Sequence, residues 1–192
     1  MAMQGRTFLF MGRPGCGKDT QGQLLADKIK SQLFSSGEVF RNIIKSGTAA
    51  GRRLQADLDA GILMPVWFAC YLFEGALVGL KEEDNIVFQG ACRILPEAQL
   101  FHDIHEWLGR PYTVLYLDIS EETMLKRIAY RRGSGRADDA ETAIHNRINE
   151  FNTKTVPSVD FFKAKGTLVS VTGESSIEEI HKQVLQAVGL QY

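Results

Sequence analysis

The chain has 192 residues, of which 44% are hydrophobic and 23% are charged, and its formal net charge is -1 at pH 7. This composition is typical of a globular protein with room for one α/β domain and small inserted segments. A nearly neutral chain has no global positive field to hold nucleic acid, so any anion site must be a local cluster of Arg and Lys. We therefore expect no nucleic acid partner.

The cysteine pattern and the apolar segments bear on where in the cell the protein is expected to lie. Three widely spaced cysteines give no disulfide framework and fit a reducing cytosol, and residues 1–6 lack the regions of a signal peptide. Residues 62–80 are apolar almost throughout, but Pro65, Glu74 and two glycines interrupt them, which favours a buried helix over a membrane span. We expect a cytoplasmic protein with no membrane partner.

Short apolar strands alternate with amphipathic helices along the chain. The first strand, 6–11, leads through a glycine-rich turn into a helix from residue 18 to about residue 30. Further strands are predicted at 32–35, 85–89, 112–117 and 167–171, and helices at 96–108, 120–132 and 176–188. This alternation predicts the α/β class, with a parallel sheet flanked by helices on both faces.

Two segments do not fit a simple strand-helix repeat, and a proline and two serine positions mark possible helix ends. Residues 36–84 are helical or loop in pattern, and residues 133–139 form a glycine-rich basic loop. Pro157 is predicted to break a long helical pattern that otherwise runs from about residue 140 to 164. The serines at 120 and at 175 or 176 precede acidic first turns, as helix N-caps do.

The segment GRPGCGKD at 12–19 follows the first strand and opens the first helix, which is the context of a phosphate-binding P-loop. Glycines let backbone N–H groups converge on phosphate oxygens, and the helix N-terminus adds unpaired donors. Lys18 is expected to reach the β- and γ-phosphates. The alternative is a turn that only caps a helix, but the strand, the spacing and the lysine together favour nucleotide binding.

Asp19 stands where the general motif has a Ser or Thr hydroxyl that meets Mg²⁺, and Thr20 follows it. A carboxylate at this position repels a triphosphate unless a cation lies between them.

With this loop, the chain resembles the adenylate kinase family over nearly its whole length. The family motif GxPGxGKGTQ reads GRPGCGKDTQ at 12–21, STGDxxR reads SSGEVFR at 35–41, and GTxxG reads GTAAG at 47–51. DxGxLVP reads DAGILMP at 59–65, DGxPRxxxQ reads QGACRILPE at 89–97, and the lid motif RxxxR…SGRxDD falls at 127–131 and 134–139. Six motifs in the family order make the resemblance specific.

The resemblance implies one P-loop kinase domain over residues 1–192, with a five-stranded parallel sheet. It also implies a helical monophosphate-binding insertion at about 36–65 and a short lid at about 132–139. The implied activity is that of an ATP-dependent nucleoside monophosphate kinase, by default ATP plus AMP giving two ADP by in-line phosphoryl transfer. The alternatives are another monophosphate, with GMP ahead of CMP or UMP, and a non-catalytic nucleotide-binding regulatory module.

The implied cofactor is Mg²⁺ with ATP as co-substrate, the partners are ATP and a nucleoside monophosphate, and we expect a monomer. No zinc is expected, because the short lid contains no Cys. His102 and His105 could suggest a metal pair, but with no third ligand in sight we predict that they occupy one face of an amphipathic helix.

Arginine forks suit the equatorial phosphate oxygens on which charge develops in phosphoryl transfer. The resemblance implies catalytic roles for Lys18, Arg93, Arg127, Arg136 and Arg147. It places ATP against Gly15, Cys16, Gly17, Lys18, Asp19, Thr20, Arg127 and Arg131, with the backbone of Ser175 at the adenine. It places the monophosphate against Ser36, Arg41, Ile62, Leu63, Met64, Gly90, Arg93, Glu97, Arg136 and Arg147.

Two positions depart from the family pattern. Gln89 replaces an Asp that helps to organise hydrated Mg²⁺, and our hypothesis is that Asp19 restores this charge through a water ligand. Glu97 replaces a Gln that matches adenine. An ionised carboxylate accepts the adenine N6 amine but opposes the N1 lone pair, and it suits guanine better. Glu97 could instead be protonated, or turned away from the base.

Overall fold

The computed structural model describes residues 4–131 and 141–191. The strands in this part of the chain are β1 Thr7–Gly12, β2 Gln32–Ser35, β3 Ile86–Gln89, β4 Tyr112–Asp118 and β5 Leu168–Thr172. They form one parallel sheet in the order β2-β3-β1-β4-β5. The predicted α/β class and all five predicted strands are confirmed, with small shifts at the strand ends.

The helices follow the predicted alternation. They are α1 Lys18–Ile29, α2 Ser36–Lys45, α3 Ala49–Asp59, α4 Val66–Val78, α5 Leu95–Leu108, α6 Glu121–Arg131, α7 Glu141–Glu150, α8 Val156–Ala164 and α9 Ile177–Ala187. The predicted N-caps are present, since the Ser120 hydroxyl accepts from the Thr123 amide at 3.1 Å and Ser176 accepts from Glu179 at 3.2 Å. These bonds satisfy amide groups that a helix end leaves unpaired.

Side chains of β1 alternate between two hydrophobic cores, as the period of a strand requires. Phe8 and Phe10 face the layer that contains α1, α6, α7 and α9. Leu9 and Met11 face the layer of α4, α5 and α8. Both faces of the sheet are therefore covered, which explains why its strands are nearly continuous apolar runs.

The apolar segment at 62–80 contains α4, which buries Cys70, Phe73 and Leu77 against the second core. The prediction of a helix packed on the core is confirmed, but α4 is buried on one side only, since Trp67 is 71% and Tyr71 is 69% exposed. Within residues 4–131 and 141–191, no helix combines the length and the apolar character needed to cross a membrane.

Pro157 does not break the helical chain, in contrast to the prediction. A π-helical segment, Phe151–Thr155, continues from α7, and α8 begins directly after it at Val156. Pro157 lies in the first turn of α8, where its missing N–H and its fixed φ are tolerated. We attribute the wider π turn upstream to the need to relieve the clash between the proline ring and a preceding carbonyl group.

Phe101 is the centre of the second core, and its removal tests this layer. It is fully buried and contacts the rings of Phe88 and Tyr112 at centroid distances of 5.5 Å. We expect Phe101→Ala to lower the free energy of unfolding by about 3 to 5 kcal/mol, because it leaves a cavity in a packed interior. Urea denaturation followed by circular dichroism measures this change.

The matched control is Trp107→Ala on the same helix, where the side chain is 81% exposed. We expect a change within about 0.5 kcal/mol, as is usual for surface positions. Equal losses in the two variants would contradict the assignment of the core.

Candidate functional site

The turn between β1 and α1 is shaped by three glycines with positive φ. Gly12, Gly15 and Gly17 have φ values of 144°, 77° and 95°, which side-chain-bearing residues rarely adopt. The turn delivers Lys18 to the start of α1, where unpaired amides and the helix dipole favour an anion. The turn and the helix start therefore present backbone amides of the kind that can hold a phosphate group.

The Cys16 side chain packs in the hydrophobic core beneath the turn and does not line the site. Its side chain is fully buried in the first core, and its amide donates to the Arg13 carbonyl at 3.1 Å. Burial raises the pKa of the Cys16 thiol, so the thiol stays protonated and packs as a small apolar group.

A cleft of about 840 Å³ opens at the carboxyl edge of the sheet. Lys18 lines it from the phosphate loop, together with Arg41 of α2, Arg93 of the loop after β3, Arg127 of α6 and Arg147 of α7. These cations come from five separate segments of the chain and face one space. Such a cluster in a nearly neutral protein creates a local site for polyanions.

Several other predicted residues also line this cleft, namely Gly15, Gly17, Asp19, Thr20, Ser36, Ile62, Leu63 and Gly90. Met64 and Glu97 line a smaller space of about 30 Å³ that adjoins it. Ser175 lies in the loop after β5 and is not among the residues that line either space. Arg136 and the side chain of Arg131 lie outside the described part of the chain.

Arg127 is hydrogen-bonded both to the phosphate loop and to the residue that follows β5. Its guanidinium group donates to the Gly173 carbonyl at 2.7 Å and, more weakly, to the Cys16 carbonyl at 3.4 Å. Gly173 directly follows β5, so these bonds connect the end of the sheet with the phosphate loop. The guanidinium group is thereby oriented before any ligand arrives.

Gly90 holds the opposite wall of the cleft in a close-packed turn. Its φ is 78°, and its carbonyl accepts a hydrogen bond from the Ser36 hydroxyl at 3.0 Å. A Cβ atom at this position would lie 2.9 Å from an Arg93 nitrogen and would also collide with Ser36. Glycine is therefore required for Ser36 and Arg93 to pack here.

The segment before α4 is held against α7 by contacts that the sequence analysis missed. Glu150 accepts from the Leu63 amide at 3.2 Å, and Asn146 donates to the Ala60 carbonyl at 2.8 Å. A Cβ on Gly61 would lie 2.5 Å from the Ala143 carbonyl oxygen. The Leu63 amide, which the resemblance places at the base, is thus already bonded in this conformation. No local pattern indicates these partners, which are far apart in sequence.

Gln89, one of the two departures from the family pattern, is bonded to the phosphate loop segment. It is only 3% exposed, and its side-chain amide donates to the Asp19 carbonyl at 2.9 Å. Gly22 leaves the space for it, since a Cβ on Gly22 would overlap the Gln89 amide. An isolated glycine inside a predicted helix, as at Gly22, often has a packing role, and this signal could have indicated the contact.

Asp19 lies beside Lys18 and Thr20 on the wall of the cleft, with its side chain exposed. An exposed carboxylate and a hydroxyl next to a phosphate site are oxygen ligands of the kind that hydrated Mg²⁺ prefers. The residues present therefore fit a magnesium ion that is bound together with a triphosphate.

His102 and His105 each bond to groups of the core. The His102 Nδ1 atom lies 2.8 Å from the Tyr112 hydroxyl, and His105 donates from Nδ1 to the Phe101 carbonyl at 2.7 Å. Burial lowers the pKa of His105 to about 4, which keeps it neutral. Among the described residues, no group of three or more His, Cys, Asp or Glu side chains could hold a metal ion.

Comparisons with known proteins agree with this arrangement. The family model described as adenylate kinase matches residues 10–167. An adenylate kinase of Leptospira biflexa is 34% identical over 185 residues, which cover 95% of this chain and 100% of that protein. An adenylate kinase of Stenotrophomonas maltophilia is 32% identical, with 94% and 97% covered. Adenylate kinase isoenzyme 1 of Caenorhabditis elegans is 34% identical, with 93% and 85% covered.

Proposed function

This chain belongs to the adenylate kinase family, and we propose that it catalyses reversible phosphoryl transfer from ATP to AMP to give two ADP molecules. The observation that carries the proposal is the single cleft in which Lys18 and the phosphate loop meet Arg41, Arg93, Arg127 and Arg147. A hydrolase or a simple nucleotide sensor would not need so many cations. Transfer between two phosphorylated ligands does, because both bring negative charge to one point.

We place the two nucleotides at opposite ends of the cleft. The ATP phosphates lie against the phosphate loop and Lys18, with Arg127 at their side. The AMP phosphate lies between Arg41 and Arg93, and its base enters the space lined by Met64 and Glu97. We further assign the region of about 36–65 to AMP binding and about 132–139, with Arg131 and Arg136, to a lid over ATP. The adenine of ATP would meet the backbone at Ser175 in the closed state.

The reaction needs positioning and charge neutralisation more than it needs a base. An oxygen of the AMP phosphate attacks the γ-phosphorus, and the bond from this phosphorus to the bridging oxygen of the β-phosphate breaks. ADP leaves with the electron pair, and no proton has to move. Lys18 and the arginines stabilise the charge on the equatorial oxygens, and their fixed geometry lowers the cost of reorganisation.

We assign magnesium binding to Asp19, through a water ligand, with Thr20 nearby. Bound with ATP, a magnesium ion would supply positive charge beside the phosphate oxygens, and Asp19 would then hold it without repelling the triphosphate. The hydrogen bond from Gln89 to the Asp19 carbonyl supports this assignment, because it fixes the backbone that carries the carboxylate.

We propose that the protein acts as a monomer on free nucleotides in the cytoplasm. Its three cysteines are all free and buried, which is consistent with a reducing compartment. Closure of the inserted segments over both nucleotides would exclude the water that could otherwise hydrolyse ATP.

The activity is tested by following ADP formation from ATP and AMP in the presence of Mg²⁺. We expect Arg93→Ala to reduce kcat/KM by about 100-fold or more, because it removes a fork that binds the transferred charge. The control is Lys126→Ala, whose side chain is 73% exposed and forms an i,i+4 pair with Glu122. No ADP formation by the wild-type chain, or equal losses in both variants, would disprove the proposal.

The magnesium assignment is tested separately by Asp19→Gly. We expect turnover at limiting Mg²⁺ to fall by about 10- to 100-fold, as is usual when a group that organises a metal is lost. Calorimetry of ATP binding with and without Mg²⁺ gives a second readout. The control is Asp27→Asn on the same helix, where Asp27 accepts from Gln23 at the surface.

A double variant tests the compensation idea, which is that Asp19 replaces the carboxylate that Gln89 lacks. Adding Gln89→Asp to Asp19→Gly returns a carboxylate to the other side of the proposed cation. We expect this variant to recover much of the turnover that Asp19→Gly loses at limiting Mg²⁺. Asp19→Gly with activity that is unchanged or higher would show that the compensation idea is wrong.

A further inference from the structure

A narrow extension of the cleft, the base pocket, ends at a buried carboxyl group. It measures about 30 Å³, and its walls are mostly apolar. Phe40, Leu58, Met64, Arg93 and Glu97 are among the residues that line it. An apolar slot of this size beside a phosphate-binding arginine fits the edge of a nucleotide base, and its few polar groups decide which base is accepted.

Glu97 is fixed in this pocket before a ligand binds. Its side chain lies in the first turn of α5 and is 3% exposed, and its Oε2 atom accepts from the Arg93 amide at 2.8 Å. The Ile94 amide is a second backbone donor to this carboxyl group. An ionised carboxylate has about four lone-pair sites, so about two of them remain for a ligand.

We propose that Glu97 reads the base of the monophosphate, and that the proton on Glu97 decides between a 6-aminopurine and guanine. This inference deepens the proposed kinase function and rests on it. Glu97 is in this sense a specificity residue, since it contacts the substrate at the end remote from the transferred group.

The two protonation states offer different hydrogen-bonding patterns. A protonated carboxyl group accepts from the N6 amine of adenine and donates to N1, so both of these polar groups are hydrogen-bonded. An ionised carboxylate accepts the N6 amine but places a lone pair against N1. The ionised form instead matches guanine, whose N1–H and N2 amine both donate. An unpaired polar group in a buried pocket is the strongest basis for discrimination.

The surroundings of Glu97 shift its titration upward. Burial raises the pKa of Glu97, and the Arg93 amide, the Arg93 charge and the Ile94 amide oppose this only in part. The thiols of Cys70 on α4 and Cys92 face it, but burial and the charge of Glu97 raise the pKa of Cys70 to about 11 and that of Cys92 well above its usual value. Both thiols therefore stay neutral, and α2 and α3 contribute apolar side chains.

The sign of the pH dependence follows from this chemistry. Because the pKa is raised, Glu97 stays protonated to a higher pH than an exposed Glu, and AMP is favoured there. As the pH rises through the pKa of Glu97, the carboxylate forms, AMP binding weakens and GMP binding strengthens.

The test is the ratio of kcat/KM for AMP to that for GMP, measured with ATP from about pH 4.5, near the ordinary pKa of a Glu, to about pH 9. Both substrates carry the same phosphate group, so its titration cancels in the ratio. We expect the ratio to fall by about ten-fold or more across the range. A flat profile overturns the inference.

The decisive variant is Glu97→Gln, because an amide offers one acceptor and one donor at every pH. We expect its ratio to be independent of pH and to favour AMP throughout. The control is Glu106→Gln, an exposed position of the same helix, which should keep the wild-type profile. A Glu97→Gln variant that keeps the wild-type profile also overturns the inference.

Calorimetry gives a readout that a purely structural role would not change. When AMP and GMP are titrated in buffers of different ionisation enthalpy, AMP binding should take up more protons than GMP binding. The difference should vanish in Glu97→Gln. If AMP and GMP take up equal numbers of protons on binding to the wild type, the inference is contradicted. Failure of the kinase proposal is a different result, because no monophosphate is then phosphorylated at all.

Discussion

The turn from β1 into α1 is the constraint on which the rest of the site depends. A Cβ on Gly12 would lie 2.5 Å from the Leu117 carbonyl oxygen and 2.8 Å from the Cys16 sulfur. The loop can therefore follow its path only with a glycine there and with Cys16 packed beneath it. This packing fixes the amides at the start of α1, and an anion site made of backbone amides needs no reorganisation when phosphate binds. The arginines then add charge to a site whose position is already determined by the core.

The parallel sheet brings the other groups to this turn because the carboxyl ends of its strands meet at one edge. The end of β3 leads to Gly90 and Arg93, and the end of β5 leads to the carbonyl group that orients Arg127. Neighbouring positions in space come from distant positions in sequence. The site is thus a property of the strand order, and each arginine depends on the packing of a different helix.

The sequence predicted the strands, most helices and the phosphate loop, because these depend on local patterns such as alternation, N-cap serines and positive-φ glycines. It did not predict the continuation of the helix through Pro157, since a π turn upstream is a tertiary accommodation of a local conflict. Nor did it predict the contact between Glu150 and the Leu63 amide. A glutamate on an amphipathic helix looks like any solvated charge, and only the fold identifies its partner.

The two departures from the family pattern act in a similar way, which composition alone does not reveal. Gln89 donates to the carbonyl group of Asp19, and Glu97 accepts from the amide of Arg93. Each substituted side chain is therefore bonded to the backbone of a residue that we place at a phosphate. Gly22 shows that the first substitution is accommodated by packing, because any larger residue there would overlap Gln89. A change at position 89 or 97 consequently alters two things at once, namely the polar group offered to the ligand and the position of the charged residue beside it. A substitution that keeps the backbone bond can be compared with one that removes it, and the comparison separates these two effects. At position 89, Gln89→Ala removes the bond to the Asp19 carbonyl group. Gln89→Glu keeps this bond where the glutamate is protonated, because only then can its side chain donate.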